Sequence, residues 1–360
     1  MASIHDLPTP TLLLDLDVLE RNLSRMSERA SALGVALRPH IKTHKSPEVA
    51  GLQRALGIRG VTVSTLYEAR VFADHGYDDI TWAFPLILSR LDEVRELADR
   101  VALRLVVDSP EAVTALEGLG RPLHVWLKVD CGYHRAGVDP ESPLALDLAR
   151  RLAESSNLTF DGLLTHSGHA YNGRGRRELA AVAEQERSVM VGFAERLRSE
   201  GIEVPEVSVG STPAMSAVER LDGVTEARPG NYCFYDFSQV TFRSCGVRDC
   251  AATVMTSVVS CRPGDGRSVV DAGALALSKD PGPGTSMGEV YADYEGGTLD
   301  GEARLTSLSQ EHGILSAPRP VGSRLRILPN HSCLTVAQFD EYVVVRGEEV
   351  VDRWKIWRGR

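Results

Sequence analysis

No stretch of this chain approaches the roughly 18 consecutive apolar residues that a membrane-spanning helix needs. Membrane association is therefore not expected. The start, MASIHDLPTP, has neither a basic segment nor an apolar one of the kind that directs export, so the expected location is the cytoplasm. Positive charge is not in excess: 40 Lys and Arg face 49 Asp and Glu, and a net charge of −9 offers no general attraction for nucleic-acid phosphates. Nucleic acid is not an expected partner. The six cysteines (131, 233, 245, 250, 261 and 333) include no C-x-x-C pair and no secretory context, so most are expected to be reduced and buried. Low-complexity segments and fixed-period repeats are absent as well. What is present, 360 residues with 43% hydrophobic and 25% charged, is an ordinary globular composition with a large core.

From about residue 20 to 240 short β-branched or apolar runs alternate with longer helical stretches, the pattern of repeated βα units around a parallel sheet. The runs are VALRPHIK (35–42), VTVST (61–65), DITWAFP (79–85), ALRLVVD (102–108), LHVWLKVD (123–130), LTFDGLLTH (158–166), EVSVGS (206–211) and TEARP (225–229). Eight parallel strands of this kind close into a (β/α)8 TIM-type barrel. Ser46-Pro47, Ser109-Pro110, Thr65 with Glu68, and Ser89 with Asp92 supply helix caps where the βα loops end. After about residue 240 the pattern changes to short strands and tight turns, including Arg262-Pro263-Gly264-Asp265-Gly266 and Asp280-Pro281-Gly282-Pro283-Gly284. The expected division is a barrel over 20–240 and a β domain over 241–360. The N-terminal TPTLLLDLD (9–17) precedes the first long helix, so residues 1–19 are expected to complete the β domain.

In RPHIKTHK (38–45) an extended strand would put Arg38, His40 and Lys42 on one face, with Lys42 at the catalytic rim of the barrel. A lysine partly desolvated there, beside cationic neighbours, has the lowered pKa of a Schiff-base amine. Read alone, the segment is more plainly a solvated basic loop. Gly210-Ser211-Thr212-Pro213 follows strand seven and opens a helix whose free N–H groups suit a phosphate. Strand eight runs into Arg228-Pro229-Gly230-Asn231-Tyr232, so both loops that commonly form a barrel's phosphate cup carry Gly, hydroxyl and amide groups. Each loop by itself is also plain turn chemistry. A Schiff-base lysine together with a phosphate cup points to pyridoxal phosphate.

The segments RPHIKTHK (38–45), KVDCGYHRAGV (128–138), LLTHSGHAY (163–171), VSVGSTPAM (207–215), EARPGNYCFYD (226–236), SQEHG (309–313) and PNHSC (329–333) follow one another in order across nearly the whole chain. In this combination the sequence resembles the fold-type III pyridoxal-phosphate enzymes, an alanine racemase-like barrel with a C-terminal β domain, and within them the D-threonine aldolase and D-serine dehydratase branch. The resemblance implies Lys42 as the Schiff-base lysine, with His40, Arg135, His166, Tyr171, Ser211, Thr212, Gly230, Asn231 and Tyr232 around the cofactor. Of these, His166 would pack near the ring, Arg135 would reach the phenolic oxygen or the ring, and Tyr171 would make a polar contact near the pyridine nitrogen.

His331 and Cys333 lie two apart, and on an extended segment both side chains share one face and reach one ion. From the pair alone, a buried Cys beside a surface His is the plainer reading. Imidazole plus thiolate suits zinc, with manganese or magnesium as alternatives. The resemblance implies a metal site here, and His-x-Cys rather than His-x-Asp tilts the expectation from aldol cleavage toward elimination. The expected activity is a metal-dependent lyase releasing an oxo acid and ammonia from D-serine or D-threo-3-hydroxyaspartate. The rivals are D-threonine aldolase, 3-hydroxy-D-aspartate aldolase, a racemase, and a non-catalytic pyridoxal-phosphate carrier. Asp271-Ala272-Gly273 with Ser278 and Asp280 is read either as a loop reaching a partner subunit's active site in a homodimer or as a β-turn. Glu311 and His312 either orient a metal-bound water or substrate, or are plain surface residues.

Overall fold

The computed structural model describes residues 2–282 and 284–360, so Pro283 of the expected Asp280–Gly284 turn lies outside the described residues. Strand β1 (Thr11–Asp15) is followed by β2 (Ala36–Leu37), β3 (Val61–Val63), β4 (Asp79–Pro85), β5 (Ala102–Val107), β6 (Leu123–Lys128), β7 (Leu158–Leu164), β8 (Glu206–Val209) and β9 (Glu226–Ala227). The last eight are parallel in the order β2-β9-β8-β7-β6-β5-β4-β3. A bridge from His40 to Thr62, with Ile41 N–H donating to Thr62 O and Thr62 N–H to Pro39 O, both at 2.9 Å, joins the two ends into the expected barrel.

Local chemistry places the helices much as the caps suggest. Ser109 accepts from Ala112 N–H at 3.3 Å ahead of helix Pro110–Glu117, and Thr65 accepts from Glu68 N–H at 3.1 Å ahead of Leu66–Asp74. Ser89 with Asp92 is a correction. Helix Leu91–Ala98 starts after Arg90, which makes no side-chain cap and instead grips Glu93. The preceding 3₁₀ turn, Leu88–Arg90, absorbs Ser89.

The N-terminal ends of the barrel strands are tied by a polar layer. Arg38 pairs with Glu226 and with Asp79 (2.8 Å), and Arg104 with Asp79 (3.0 Å), Glu206 (2.8 Å) and Asp161 (3.4 Å). Gly162 on β7 has φ +132°, and a Cβ there would run into the Glu206 carbonyl, so β7 and β8 can approach only at glycine.

Strands β10 (Ala252–Arg262), β11 (Arg267–Val270), β12 (Gly288–Asp293), β13 (Thr298–Leu308), β14 (Gly313–Leu315), β15 (Arg324–Leu328), β16 (Glu341–Arg346) and β17 (Glu349–Lys355) make the second sheet. Its order is β11-β14-β13-β12-β15-β10-β1-β16-β17, and the further β10–β11 pairing closes six of the strands into a small antiparallel barrel. As expected, β1 joins this domain, antiparallel to β10 and parallel to β16, where Leu13 is buried with Ile4, Leu7, Met255, Val343 and Val345.

The compact units differ from a single cut at 20 and 240. One holds the chain up to Arg25, Thr43–Leu52 and Asn231–Arg358; the other holds Met26–Lys42, Gln53–Gly230 and the last two residues. The helical segment after Thr43 thus packs with the β domain, where Tyr342 donates its hydroxyl to the His44 carbonyl at 2.7 Å. Among the described residues no helix is long and apolar enough to cross a membrane.

Candidate active site

In the barrel unit Lys42 lies in the turn that follows β2, not on a strand. The regular part of β2 ends at Leu37, the pairing continues through Arg38 N–H to the Ala227 carbonyl (2.9 Å) and His40 N–H to the Pro229 carbonyl (3.0 Å), and the chain then turns from Ile41. The alternation that would align Arg38, His40 and Lys42 is lost. Arg38 is buried in the polar layer, while Lys42 is exposed, so the expected partial desolvation is not supplied by the chain itself. His40 lies at 3.5 Å from both the Lys42 N–H and the Ser64 hydroxyl.

The loops after β7 and β8 bring His166, Ser167, Gly210 and Ser211 together. His166 Nδ1 is 3.4 Å from the Gly210 carbonyl, and the Ser167 and Ser211 hydroxyls are 3.3 Å apart. Around the His166 ring stand Tyr133 (centroids 6.0 Å, edge-on) and Tyr171 (6.5 Å), with the Arg135 guanidinium 5.0 Å from the Tyr133 centroid. Burial, aided by the charges of Lys42, Arg135 and Lys128, holds the His166 imidazole well below its ordinary range, so it is neutral.

Sequence reasoning missed three buried residues here. Glu186, on helix Arg176–Ser199, accepts the backbone N–H of Ser167 (3.1 Å) and of Gly210 (3.0 Å), and so fastens one loop to the other. Arg228 donates to the Ser208 hydroxyl and the Thr165 carbonyl. Lys128, at the end of β6, is pushed down to about 8 by burial and by the like charges of Arg228 and Arg135. No local pattern marks Glu186, whereas Lys128 and Arg228 stand within the quoted motifs and show their role only through burial.

The expected helix N-terminus at Ser211 is weaker than its sequence suggests. Helix Thr212–Ala217 has six residues, and the Ser211 hydroxyl already accepts from Ala214 N–H at 3.3 Å. Ser211 and Thr212 are buried at its start, and Gly230 is half-buried at the end of the β9 loop.

In the other unit His331 and Cys333 are together, but not on an extended segment. His331 is the N-cap of helix Ser332–Val336, and Cys333 lies in its first turn. Asp236 sets this geometry by accepting both the backbone N–H (3.0 Å) and the hydroxyl (3.2 Å) of Ser332. Asn231, expected beside the cofactor, spends its amide on Asp236 (2.7 Å) and the Ser332 hydroxyl (2.9 Å), with Cys333 Sγ at 3.8 Å. Tyr232 is fully buried beside it.

Thr43, the residue after Lys42, places its hydroxyl 3.2 Å from Cys333 Sγ. Asp280 lies 2.8 Å from His331 Nδ1. Burial opposes a charge on His331, yet its hydrogen bonds to Asp280 and Cys333 hold its pKa up to about 11. Among the described residues no group of three or more His, Cys, Asp or Glu is arranged to hold a metal.

Asp271 is a structural anchor: it accepts from Thr9, Thr256 (2.6 Å) and Ser257 N–H (2.9 Å). Glu311 and His312 are exposed on the turn that packs against Gly273.

Comparison with known proteins follows this division. Residues 14–236 match the alanine racemase N-terminal domain family, and 251–345 match the putative serine dehydratase domain. The chain is 41% identical to a D-threo-3-hydroxyaspartate dehydratase of Delftia sp. (strain HT23) over 98% of both chains. It is 33% identical to a D-serine dehydratase of Dictyostelium discoideum, covering 98% of this chain and 97% of that one. It is 31% identical to a D-threonine aldolase of Arthrobacter sp, covering 97% and 92%. The solved Delftia structure superposes over 100% of both chains with a TM-score of 0.95 at 39% identity. Matched over its whole length in sequence and in fold, the chain belongs to the D-serine dehydratase and D-threonine aldolase family, the lyase branch of the alanine racemase-like pyridoxal-phosphate enzymes.

Proposed function

We propose that this protein is a pyridoxal-phosphate- and divalent-metal-dependent dehydratase of D-β-hydroxy-α-amino acids, with D-threo-3-hydroxyaspartate or D-serine as substrate. The observation that carries the reading is the His331–Cys333 pair, oriented by Asp280 and Thr43. A D-threo-3-hydroxyaspartate dehydratase 39% identical to this chain supports it, having been solved as a cysteine-to-alanine variant in a metal-free form and as a histidine-to-alanine variant.

The barrel residues fit the cofactor by charge. Burial, with the like charges of Arg228 and Arg135, depresses Lys128, and an anionic ligand beside these groups would ease it. Lys42 would hold the cofactor, Ser211, Thr212 and Gly230 its phosphate, and Arg135, His166 and Tyr171 its ring. When bound, pyridoxal phosphate supplies an electron sink for the negative charge left at the substrate α-carbon. Lys42 is the group that takes the α-proton at its Nζ. Neutral His166 offers a ring face without adding a positive charge.

The donor set of His331 and Cys333 fits a borderline ion and favours zinc, with manganese or magnesium as alternatives. Held by His331 and Cys333, such an ion would supply Lewis acidity at the substrate β-hydroxyl. The protein is further read as a cytoplasmic homodimer acting on free amino acids, which sedimentation of the purified holoenzyme tests.

Product analysis with D-threo-3-hydroxyaspartate, D-serine and D-threonine decides the reaction. Dehydration gives ammonia with oxaloacetate or pyruvate. If D-threonine instead gives glycine and acetaldehyde much faster than the other substrates give ammonia, the aldolase reading replaces this one. Turnover unchanged by chelation removes the metal role.

A further inference from the structure

The Asp280 carboxylate and the His331 ring are separated by 51 residues in the chain, yet Asp280 Oδ2 is 2.8 Å from Nδ1. Several contacts hold the carboxylate there. Its second oxygen accepts the Gly282 N–H at 2.9 Å, and its own N–H donates to the Ser278 hydroxyl at 3.3 Å. Asn330, the residue just before His331, is buried and directs its amide at the carbonyls of Asp280 (3.2 Å), Pro281 (3.0 Å) and Ser286 (2.7 Å). The segment bearing Asp280 is therefore stapled to the strand end that bears His331. An exposed ion pair is held by two mobile side chains and contributes little; this one is set by the backbone on both sides.

We propose that Asp280 is the positioning residue of the metal-ligand pair. It accepts the Nδ1–H of His331, fixes the tautomer and the ring plane, and leaves Nε2 as the ligand nitrogen. The same contact raises the basicity of the imidazole, which strengthens its bond to an ion. This rests on the metal reading given above and adds to it a named outer partner. Asp280 thus has a role at the His331–Cys333 pair beyond the turn in which it sits.

The test is metal affinity of the purified holoenzyme, with Co²⁺ as a spectroscopic probe and Zn²⁺ by competition with a chromogenic chelator. In the unaltered protein Co²⁺ gives a thiolate charge-transfer band from Cys333. Asp280→Ala is expected to weaken both ions by about 10–100-fold, the usual loss for an outer partner of a metal-bound histidine. Asp280→Asn keeps an acceptor oxygen but not the charge and is expected to fall between, at least about threefold weaker. Lys279→Ala, an exposed neighbour on the same segment, should leave affinity unchanged. Circular dichroism confirms folding, and if the alanine variant does not fold, the asparagine variant decides. Affinity within twofold of the unaltered protein in a folded Asp280 variant overturns the proposal. If the unaltered protein binds Co²⁺ no better than His331→Ala, the metal reading fails instead, so the two failures are distinguishable.

Discussion

Glu186→Ala should loosen the two loops that carry Ser167 and Ser211. The native carboxylate accepts two buried N–H groups, at 3.1 and 3.0 Å, through one oxygen, and alanine leaves both without a partner. Each orphaned donor costs about 1–3 kcal/mol, so the pair costs about 2–6 kcal/mol before any loss of packing. At about 2–4 °C per kcal/mol for a domain of this size, the barrel's thermal midpoint should fall by at least about 4 °C. Glu186→Gln keeps an acceptor in the same place and should lose far less. The pH dependence separates acceptor from charge. Burial holds the Glu186 carboxyl above its ordinary value of 4.5. With the folded value above the unfolded one, its stabilising effect is complete below 4.5 and is lost as pH rises through the folded value. The native protein should therefore lose stability relative to Glu186→Gln as pH rises over that window. Thermal unfolding of the three proteins, followed by circular dichroism across the pH range, measures both effects. If glutamine destabilises as much as alanine, or the native protein gains stability relative to Glu186→Gln as pH rises, Glu186 acts instead as a counter-charge to Arg228 and the acceptor argument fails.

Borohydride treatment of the holoenzyme should fix the cofactor to Lys42, and Lys42→Ala should abolish the label; a label mapped by peptide mass spectrometry to Lys45 would reject the assignment. Lys128→Met should stabilise the cofactor-free protein at neutral pH by up to about 3 kcal/mol. Lys128 is depressed from 10.5 to about 8, so its favourable contribution is present above 10.5 and is lost as pH falls through about 8. A Met variant less stable than the native protein at neutral pH in urea unfolding would contradict this. Glu226→Ala leaves buried Arg38 with Asp79 as its remaining carboxylate partner and should cost about 3–5 kcal/mol in the same assay. A change below about 1 kcal/mol would place the pair with solvent-exposed ion pairs.

What the sequence by itself determined is local and periodic. Apolar runs at strand spacing, alternating with helical stretches of which several are capped, specify eight βα units, because burying one face of a strand or helix depends on residues a few positions apart. The turn-rich stretch beyond residue 240 and the early TLLLD strand are legible for the same reason, and β1 pairs with β10 and β16 as its pattern implies. His331 and Cys333 could be seen as a pair since only Ser332 separates them.

Tertiary structure decided everything that depends on a distant partner. Residues 38–42 read as one continuous extended run, yet the chain turns after His40 and leaves Lys42 exposed, because the pairing with the neighbouring strands reaches no further. Cys333 occupies a helical turn because Asp236, 96 residues earlier, captures the Ser332 N–H, a bond no short-range pattern announces. Glu186 reads in sequence as one more acidic residue of a long helix. It joins two loops because helix Arg176–Ser199 packs its buried face beneath them, and a buried N–H must find an acceptor wherever the fold provides one. Asp280 is the same case: a turn residue by composition, and a histidine's partner once Asn330 brings two remote segments together.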